Sequence, residues 1–61
     1  MFKKLKGKRT ELGYTQEQMA KMIGISTSRY VLKENGKTKF YLEEINKILS
    51  ILDCKYEDIF L

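Results

Sequence analysis

The chain has 61 residues, a net charge of +4 and no histidine. A domain of this length buries about 60% of its unfolded surface, so its core is small and leaves little depth for a substrate pocket. Catalysis near neutral pH most often uses histidine, so the composition argues against an enzyme. A single cysteine excludes an intramolecular disulfide and cannot build a zinc site. We therefore predict no metal, no other cofactor and no small-molecule ligand.

Basic charge is concentrated in the first two thirds of the chain. From Met1 to Lys39, ten Lys and Arg residues stand against three acidic residues, a net +7; from Phe40 on, two stand against five, a net −3. This asymmetry slightly favours a polyanionic partner over scattered surface charge. The basic start leads into Gly7 rather than an apolar run, so we predict no signal peptide or membrane span. A single domain over residues 1–61, in the reducing cytoplasm, is the expectation.

The first helix is predicted from about Phe2 to Leu12. Phe2, Leu5 and Leu12 fall near one face of it, with lysines around the rest. Gly13 follows where a left-handed residue commonly ends a helix.

A second and a third helix follow, with a short joint between them. Thr15 and Gln18 have the spacing of a capping box, which starts the second helix. Gly24 ends it, and Ser26 caps a third helix over about Thr27 to Glu34. The residues predicted to pack inward are Met19, Ala20, Ile23 and Ile25.

The third helix ends at Asn35-Gly36, a pair that readily adopts a left-handed turn, and a basic loop follows. The fourth helix shows the clearest periodicity and ends at Asp53, and Tyr56 to Phe60 forms a last turn or short helix. Its predicted apolar face consists of Leu42, Ile45, Ile48, Leu49 and Leu52. The expected fold is all-α, a compact bundle of five short helices.

Two helices joined by roughly three residues, with a glycine in the joint and a serine cap on the second, form a helix-turn-helix. Such a motif exposes one face of its second helix, here the third helix of the chain. That face fits a DNA major groove about 12 Å wide.

The chain resembles the phage repressor and Cro family of helix-turn-helix proteins, the XRE-like regulators. Three gapless segments carry the resemblance: Arg9–Ala20, Ile23–Ser26 and Glu34–Lys37. The family's usual run at these places is R-x-x-x-G-L-T-Q-x-x-L-A, L-G-V-S and E-N-G-K. The resemblance implies a lambda-repressor-like fold and a small regulator, acting as a repressor. It also implies a homodimer on a near-palindromic operator, which blocks the polymerase by occlusion.

The resemblance also implies roles for single residues. Gln16 is expected to bind a phosphate, although it is also a plausible solvated helix-start residue. Arg29 is the candidate for a bidentate guanine contact, with a phosphate contact or a surface ion pair as alternatives. Arg9 and Glu34 match a family ion pair between the first helix and the end of the third. The expected DNA-binding residues are Gln16, Thr27, Ser28, Arg29, Leu32, Asn35, Lys37 and Lys39.

The third helix departs from the family pattern. Lys33 stands where the family places an apolar residue, and Val31 and Leu32 stand where it places polar ones. A lysine facing the core must extend to solvent, pair with an acid, or rotate the helix. Alternatively, Val31 and Leu32 form a protein-binding patch, which would make the domain an interaction module. Phe40 also replaces a common proline.

The predicted dimer surface is the carboxy-terminal end. Ile59, Phe60 and Leu61 are apolar and have little sequence left to cover them. The alternative is that these residues pack back onto the fourth helix.

Overall fold

Five α-helices and no strand are present in the computed structural model, which describes residues 1–61. The helices are α1 (Lys3–Glu11), α2 (Gln16–Ile23), α3 (Thr27–Glu34), α4 (Leu42–Leu52) and α5 (Tyr56–Ile59). The predicted all-α fold is confirmed, and α3 has the predicted bounds. None of the five helices has the length and apolar character needed to span a membrane.

Local hydrogen bonds fix the start of α2 and of α3. The Thr15 hydroxyl accepts from the Gln18 backbone N–H at 3.1 Å, and the Thr15 N–H donates to the Gln18 side chain at 2.8 Å. The Ser26 hydroxyl accepts from the Arg29 backbone N–H at 3.2 Å. Between the two helices Gly24 has φ 84°, a left-handed conformation in which a side chain would be strained. The predicted caps and joint of the helix-turn-helix are thus confirmed.

The core is small, and α2 and α3 pack most closely within it. α4 packs against α2, and α5 packs against α1. The buried apolar side chains are Leu5, Met19, Ala20, Ile23, Tyr30, Ile48, Leu52 and Ile59.

Two leucines predicted to face inward are exposed. Leu12 is 46% exposed because it follows the last residue of α1 and no longer obeys the helical repeat. Leu42 is 73% exposed at the first position of α4. Burial then increases along α4, from half-buried Ile45 to fully buried Ile48, so the first turn of the helix extends past the core.

The Lys33 ammonium lies inside the fold and pairs with an acid. Its Nζ atom is 2.5 Å from Glu44 Oε1, and the two residues are 6% and 7% exposed. The same Glu44 oxygen accepts the Tyr41 backbone N–H at 2.8 Å. Of the three accommodations that the sequence allows, pairing with an acid is the one adopted. With this pairing a buried lysine is accommodated on α3, where Tyr30 is buried and Leu32 is exposed.

Aromatic side chains close the end of the bundle where the two termini meet. The Phe2 ring lies 5.3 Å from Phe60 and 5.8 Å from Phe40, measured between centroids. Ile59 is buried, Phe60 is half-buried and Leu61 is 73% exposed. The chain end therefore packs back in part, but mainly onto α1 rather than α4.

Breaking the buried ion pair should destabilise the protein. Lys33→Met leaves the Glu44 carboxylate buried without its charge partner, and we expect a loss of about 3 kcal/mol in the free energy of unfolding. The double variant Lys33→Met/Glu44→Gln removes both charges and keeps an acceptor for the Tyr41 N–H, so most of that loss should be recovered.

Urea denaturation of the wild type, both single variants and the double variant measures the coupling between the two charges. Lys21→Met, at an exposed lysine of α2, is the matched control. Additive losses in the double variant would show that the two charges do not stabilise each other.

Candidate nucleic-acid interface

The outer face of α3 is open to solvent. Thr27, Ser28, Arg29 and Leu32 are all exposed, and Leu32 has 41% of its surface accessible. Val31, predicted on the same face, is half-buried. The buried side chains of α3 lie on the opposite face, so the tertiary packing itself determines which residues point outward.

A concavity of about 560 Å³ lies between this face and the loop that follows α3. It is lined by Arg29, Leu32, Lys33, Thr38, Lys39 and Tyr41. The structure thus brings together three of the predicted site residues, Arg29, Leu32 and Lys39. The other lining residues, Lys33, Thr38 and Tyr41, were not predicted as site residues. Asn35 and Lys37 are exposed on the same loop but do not line the concavity.

Gln16 is the one predicted site residue that is not exposed. It is half-buried at the start of α2, where its side-chain Nε2 donates to Glu34 Oε1 at 3.1 Å. A glutamine amide carries two N–H donors, so one donor remains. No local pattern predicts this contact, since the two residues lie 18 positions apart in the sequence.

The Glu34 carboxylate is the centre of a buried hydrogen-bond network. Arg9 donates to it through Nε at 2.9 Å and through Nη2 at 3.0 Å, the bidentate geometry typical of strong Arg–carboxylate pairs. The Tyr30 hydroxyl donates to it at 2.7 Å. A further Arg9 N–H bonds the Tyr14 carbonyl at 2.8 Å. The predicted Arg9–Glu34 ion pair is confirmed, and it links α1 directly to the end of α3.

The network determines which groups carry charge at neutral pH. Burial acts to raise the pKa of Glu34, but the hydrogen bonds from Arg9, Tyr30 and Gln16 outweigh it and hold the pKa below its ordinary value. Burial and the Glu34 carboxylate together raise the pKa of Tyr30. Glu34 is therefore ionised and Tyr30 is neutral at pH 7.

The single cysteine, Cys54, is half-buried against the core. Burial raises the pKa of its thiol, so the protonated form prevails at neutral pH. No three His, Cys, Asp or Glu side chains converge on a point where a metal could bind.

The helix-turn-helix family model matches residues 5–59, which run from within α1 to the end of α5. The chain belongs to the XRE-like helix-turn-helix family. The family resemblance seen in the sequence is thereby confirmed. DNA binding and transcription regulation are the activities associated with this helix-turn-helix family, and its members are typically not enzymes.

Two proteins of Archaeoglobus fulgidus, each named "Uncharacterized HTH-type transcriptional regulator", are similar to this helix-turn-helix protein. One is 34% identical over 58 residues, which covers 95% of this chain and 82% of the relative. The other is 34% identical over 53 residues, which covers 87% of this chain and 76% of the relative. The comparison with solved structures gave no match.

Acid should weaken the fold of this helix-turn-helix protein through Glu34. A carboxylate whose pKa is lowered by folding contributes stability above its unfolded pKa, about 4.3. That contribution is lost as the pH falls through the lower, folded pKa. We expect Glu34→Gln to be less stable than the wild type at pH 7, with the difference shrinking steadily below about pH 4.3.

Thermal unfolding followed by circular dichroism from pH 7 to pH 2 measures this difference. Glu11→Gln, at an exposed acidic residue of α1, is the matched control and should run parallel to the wild type. A constant gap between Glu34→Gln and the wild type at every pH would contradict the lowered pKa.

Proposed function

We propose that this helix-turn-helix protein binds double-stranded DNA sequence-specifically and acts as a small transcriptional repressor, with α3 in the major groove. The observation that carries the proposal is the outward face of α3, bordered by the basic loop that contains Lys37 and Lys39. A helix in the major groove is flanked by backbone phosphates, and lysines beside the helix can bind them.

Arg29 is proposed to read a base. Its guanidinium takes part in neither of the two ion pairs of the structure, so it is available for an external acceptor. An arginine in the major groove binds guanine O6 and N7 in a bidentate manner, and Leu32 on the same face can contact a thymine methyl group. Thr27 and Ser28, in the first turn of α3, complete the proposed reading surface.

Phosphate contacts are proposed on both sides of this surface. Gln16 is positioned for one through its second side-chain N–H and the free N–H groups at the start of α2. Asn35, Lys37 and Lys39 supply the contacts beyond the end of α3. Such contacts fix the position of the protein on the duplex and provide affinity for any sequence.

A homodimer is the proposed assembly, joined through the carboxy-terminal end. Two shallow concavities meet there at Phe2 and Phe60; one of them includes Tyr56 and the other includes Leu61. Tyr56 is 44% exposed and Leu61 is 73% exposed, so apolar surface remains for a second copy. A two-fold dimer of this kind would place its recognition helices about 34 Å apart on a near-palindromic operator. Bound over a promoter in the cytoplasm, it would exclude the polymerase.

The protein-interaction alternative has weaker support from the described surface. It requires Val31 and Leu32 together, but Val31 is half-buried, which leaves Leu32 as the exposed apolar side chain of the pair. One leucine makes a small patch, and isolated exposed apolar residues are ordinary on protein surfaces.

The proposed function is tested by fluorescence anisotropy across a salt series. Two DNA duplexes are compared, one with the sequence beside the protein's own gene and one of random sequence. A sequence-specific regulator binds both, loses affinity steeply with salt, and prefers the first by at least about a hundredfold. Equal affinity would rule out sequence-specific reading. Absence of binding at micromolar protein near 100 mM salt would exclude the DNA function and favour the interface at Leu32.

Two single substitutions separate base reading from phosphate binding. Arg29→Ala should reduce the preference for the specific duplex, since a bidentate guanine contact contributes about 1–3 kcal/mol of discrimination. Lys39→Ala should weaken binding to both duplexes equally and reduce the salt slope by about one. Lys47→Ala, on α4 outside the proposed interface, is the control for loss of charge. An unchanged affinity and slope for Lys39→Ala would remove the loop from the interface.

Leu61→Glu tests the dimer surface without disturbing the core, because Leu61 is 73% exposed. A charge placed in an apolar interface should raise the dimer dissociation constant by about tenfold or more. Sedimentation equilibrium measures this, with Leu12→Glu as the matched control at another exposed leucine. A dimer that tolerates Leu61→Glu as well as it tolerates the control must be joined elsewhere.

A further inference from the structure

Two hydroxyl-bearing residues, Thr38 and Tyr41, line the concavity beside α3 and have no role in the function proposed above. Both residues are exposed, and neither side chain donates or accepts a hydrogen bond within the protein. Both hydroxyls are therefore available for a ligand.

The Tyr41 ring is held in place although it is 72% exposed. The Lys33 ammonium lies 4.4 Å from the centroid of the ring, and Glu44 holds that ammonium. Glu44 also accepts the Tyr41 backbone N–H, so both the backbone and the ring of this tyrosine are fixed through one carboxylate. An exposed side chain that is already ordered loses less entropy when it binds a partner.

Thr38 is held at the other edge of the concavity by the end of α3. The Lys37 N–H donates to the Leu32 carbonyl at 2.9 Å, and the Thr38 N–H points to the same oxygen at 3.4 Å. The Val31 and Lys33 carbonyls also accept from the loop, through Asn35 and Gly36. These bonds satisfy carbonyl groups that would otherwise repel an anion at a helix C-terminus.

The charge around the concavity suits an anion. Three cationic residues line it: Arg29, Lys33 and Lys39. Of these, Lys33 is paired with Glu44, and the other two take part in no ion pair. Two cations thus remain unpaired beside two hydroxyl donors, a set that matches the oxygens of a phosphate group.

We propose that this concavity binds one phosphate group of the DNA backbone, to which the Thr38 and Tyr41 hydroxyls donate hydrogen bonds beside the charge of Lys39. Lys33 and Glu44 are positioning residues that orient Tyr41. This inference rests on the proposed DNA-binding function. It adds Thr38 and Tyr41 as DNA-contacting residues, and it assigns the buried Lys33 an indirect role in binding through Tyr41.

Tyr41→Phe and Thr38→Val remove the hydroxyls and preserve the shape of each side chain. Each should raise the dissociation constant for duplex DNA by about tenfold, as expected for a lost hydrogen bond to a charged group. The salt slope should not change, because a hydroxyl neutralises no phosphate. This distinguishes both variants from Lys39→Ala. Ser50→Ala, which removes an exposed hydroxyl on α4 outside the concavity, should bind like the wild type.

The positioning pair is tested by a double-mutant cycle. Lys33→Met/Glu44→Gln should weaken DNA binding, and adding Tyr41→Phe to that background should cost much less than it does in the wild type. Thermal unfolding of each variant verifies that it is folded at the assay temperature. A full additional loss from Tyr41→Phe would show that the pair does not orient the tyrosine.

The outcomes separate this inference from the function on which it rests. If the wild type does not bind duplex DNA, the proposed function fails. If the wild type binds and Thr38→Val/Tyr41→Phe binds equally well, only the phosphate site is overturned. Titration of inorganic phosphate, followed by NMR, identifies the source of the anion. Shifts at Lys39 that Thr38→Val/Tyr41→Phe abolishes, together with unchanged DNA affinity of that variant, would assign the site to a free anion and overturn the DNA assignment.

Discussion

The carboxylate of Glu34 is the point through which three helices are joined. It is 1% exposed and accepts hydrogen bonds from Arg9 of α1, from Gln16 of α2 and from Tyr30 within α3. A buried charge is costly unless it is paired and fully hydrogen-bonded. The Glu34 carboxylate meets both conditions, because it is paired with Arg9 and both of its oxygens accept hydrogen bonds. Because the carboxylate lies on the last turn of α3, the network fixes the rotation of this helix, and the exposed face of α3 follows from it.

A second buried pair extends the same control to the loop beyond α3. Lys33 lies one residue before Glu34 and reaches Glu44 on α4, so adjacent residues of α3 anchor it to different parts of the fold. An apolar residue in place of Lys33 would pack in this position without constraining Tyr41. The ion pair is directional, and it connects the interior of the bundle to one edge of the proposed DNA-binding surface. In the proposed function, stability and DNA binding therefore depend on the same side chains.

Family features and departures from the family pattern lie side by side within the matched region, residues 5–59. The matched region includes the helix caps, the joint and the Arg9–Glu34 pair, features that define the helix-turn-helix as a scaffold. Residues that depart from the family pattern also make contacts that contribute to the fold. Phe40, in place of a common proline, packs its ring against both Phe2 and Phe60. Asp53, which ends α4, adopts φ 50°, a left-handed conformation that aspartate tolerates better than most residues.

The sequence by itself determined the helices, their caps and the joint between α2 and α3, because these depend on contacts within about four residues. Thr15, Gly24 and Ser26 act on their own neighbours, and the pattern shows them directly. The Arg9–Glu34 pair was also predicted, but only through the family resemblance. Tertiary structure alone decided that Lys33 pairs with Glu44, that Gln16 contacts Glu34 and that Leu42 is exposed. Those outcomes depend on which distant segments meet when the helices pack. Local sequence patterns do not predict the angle or the depth of that packing.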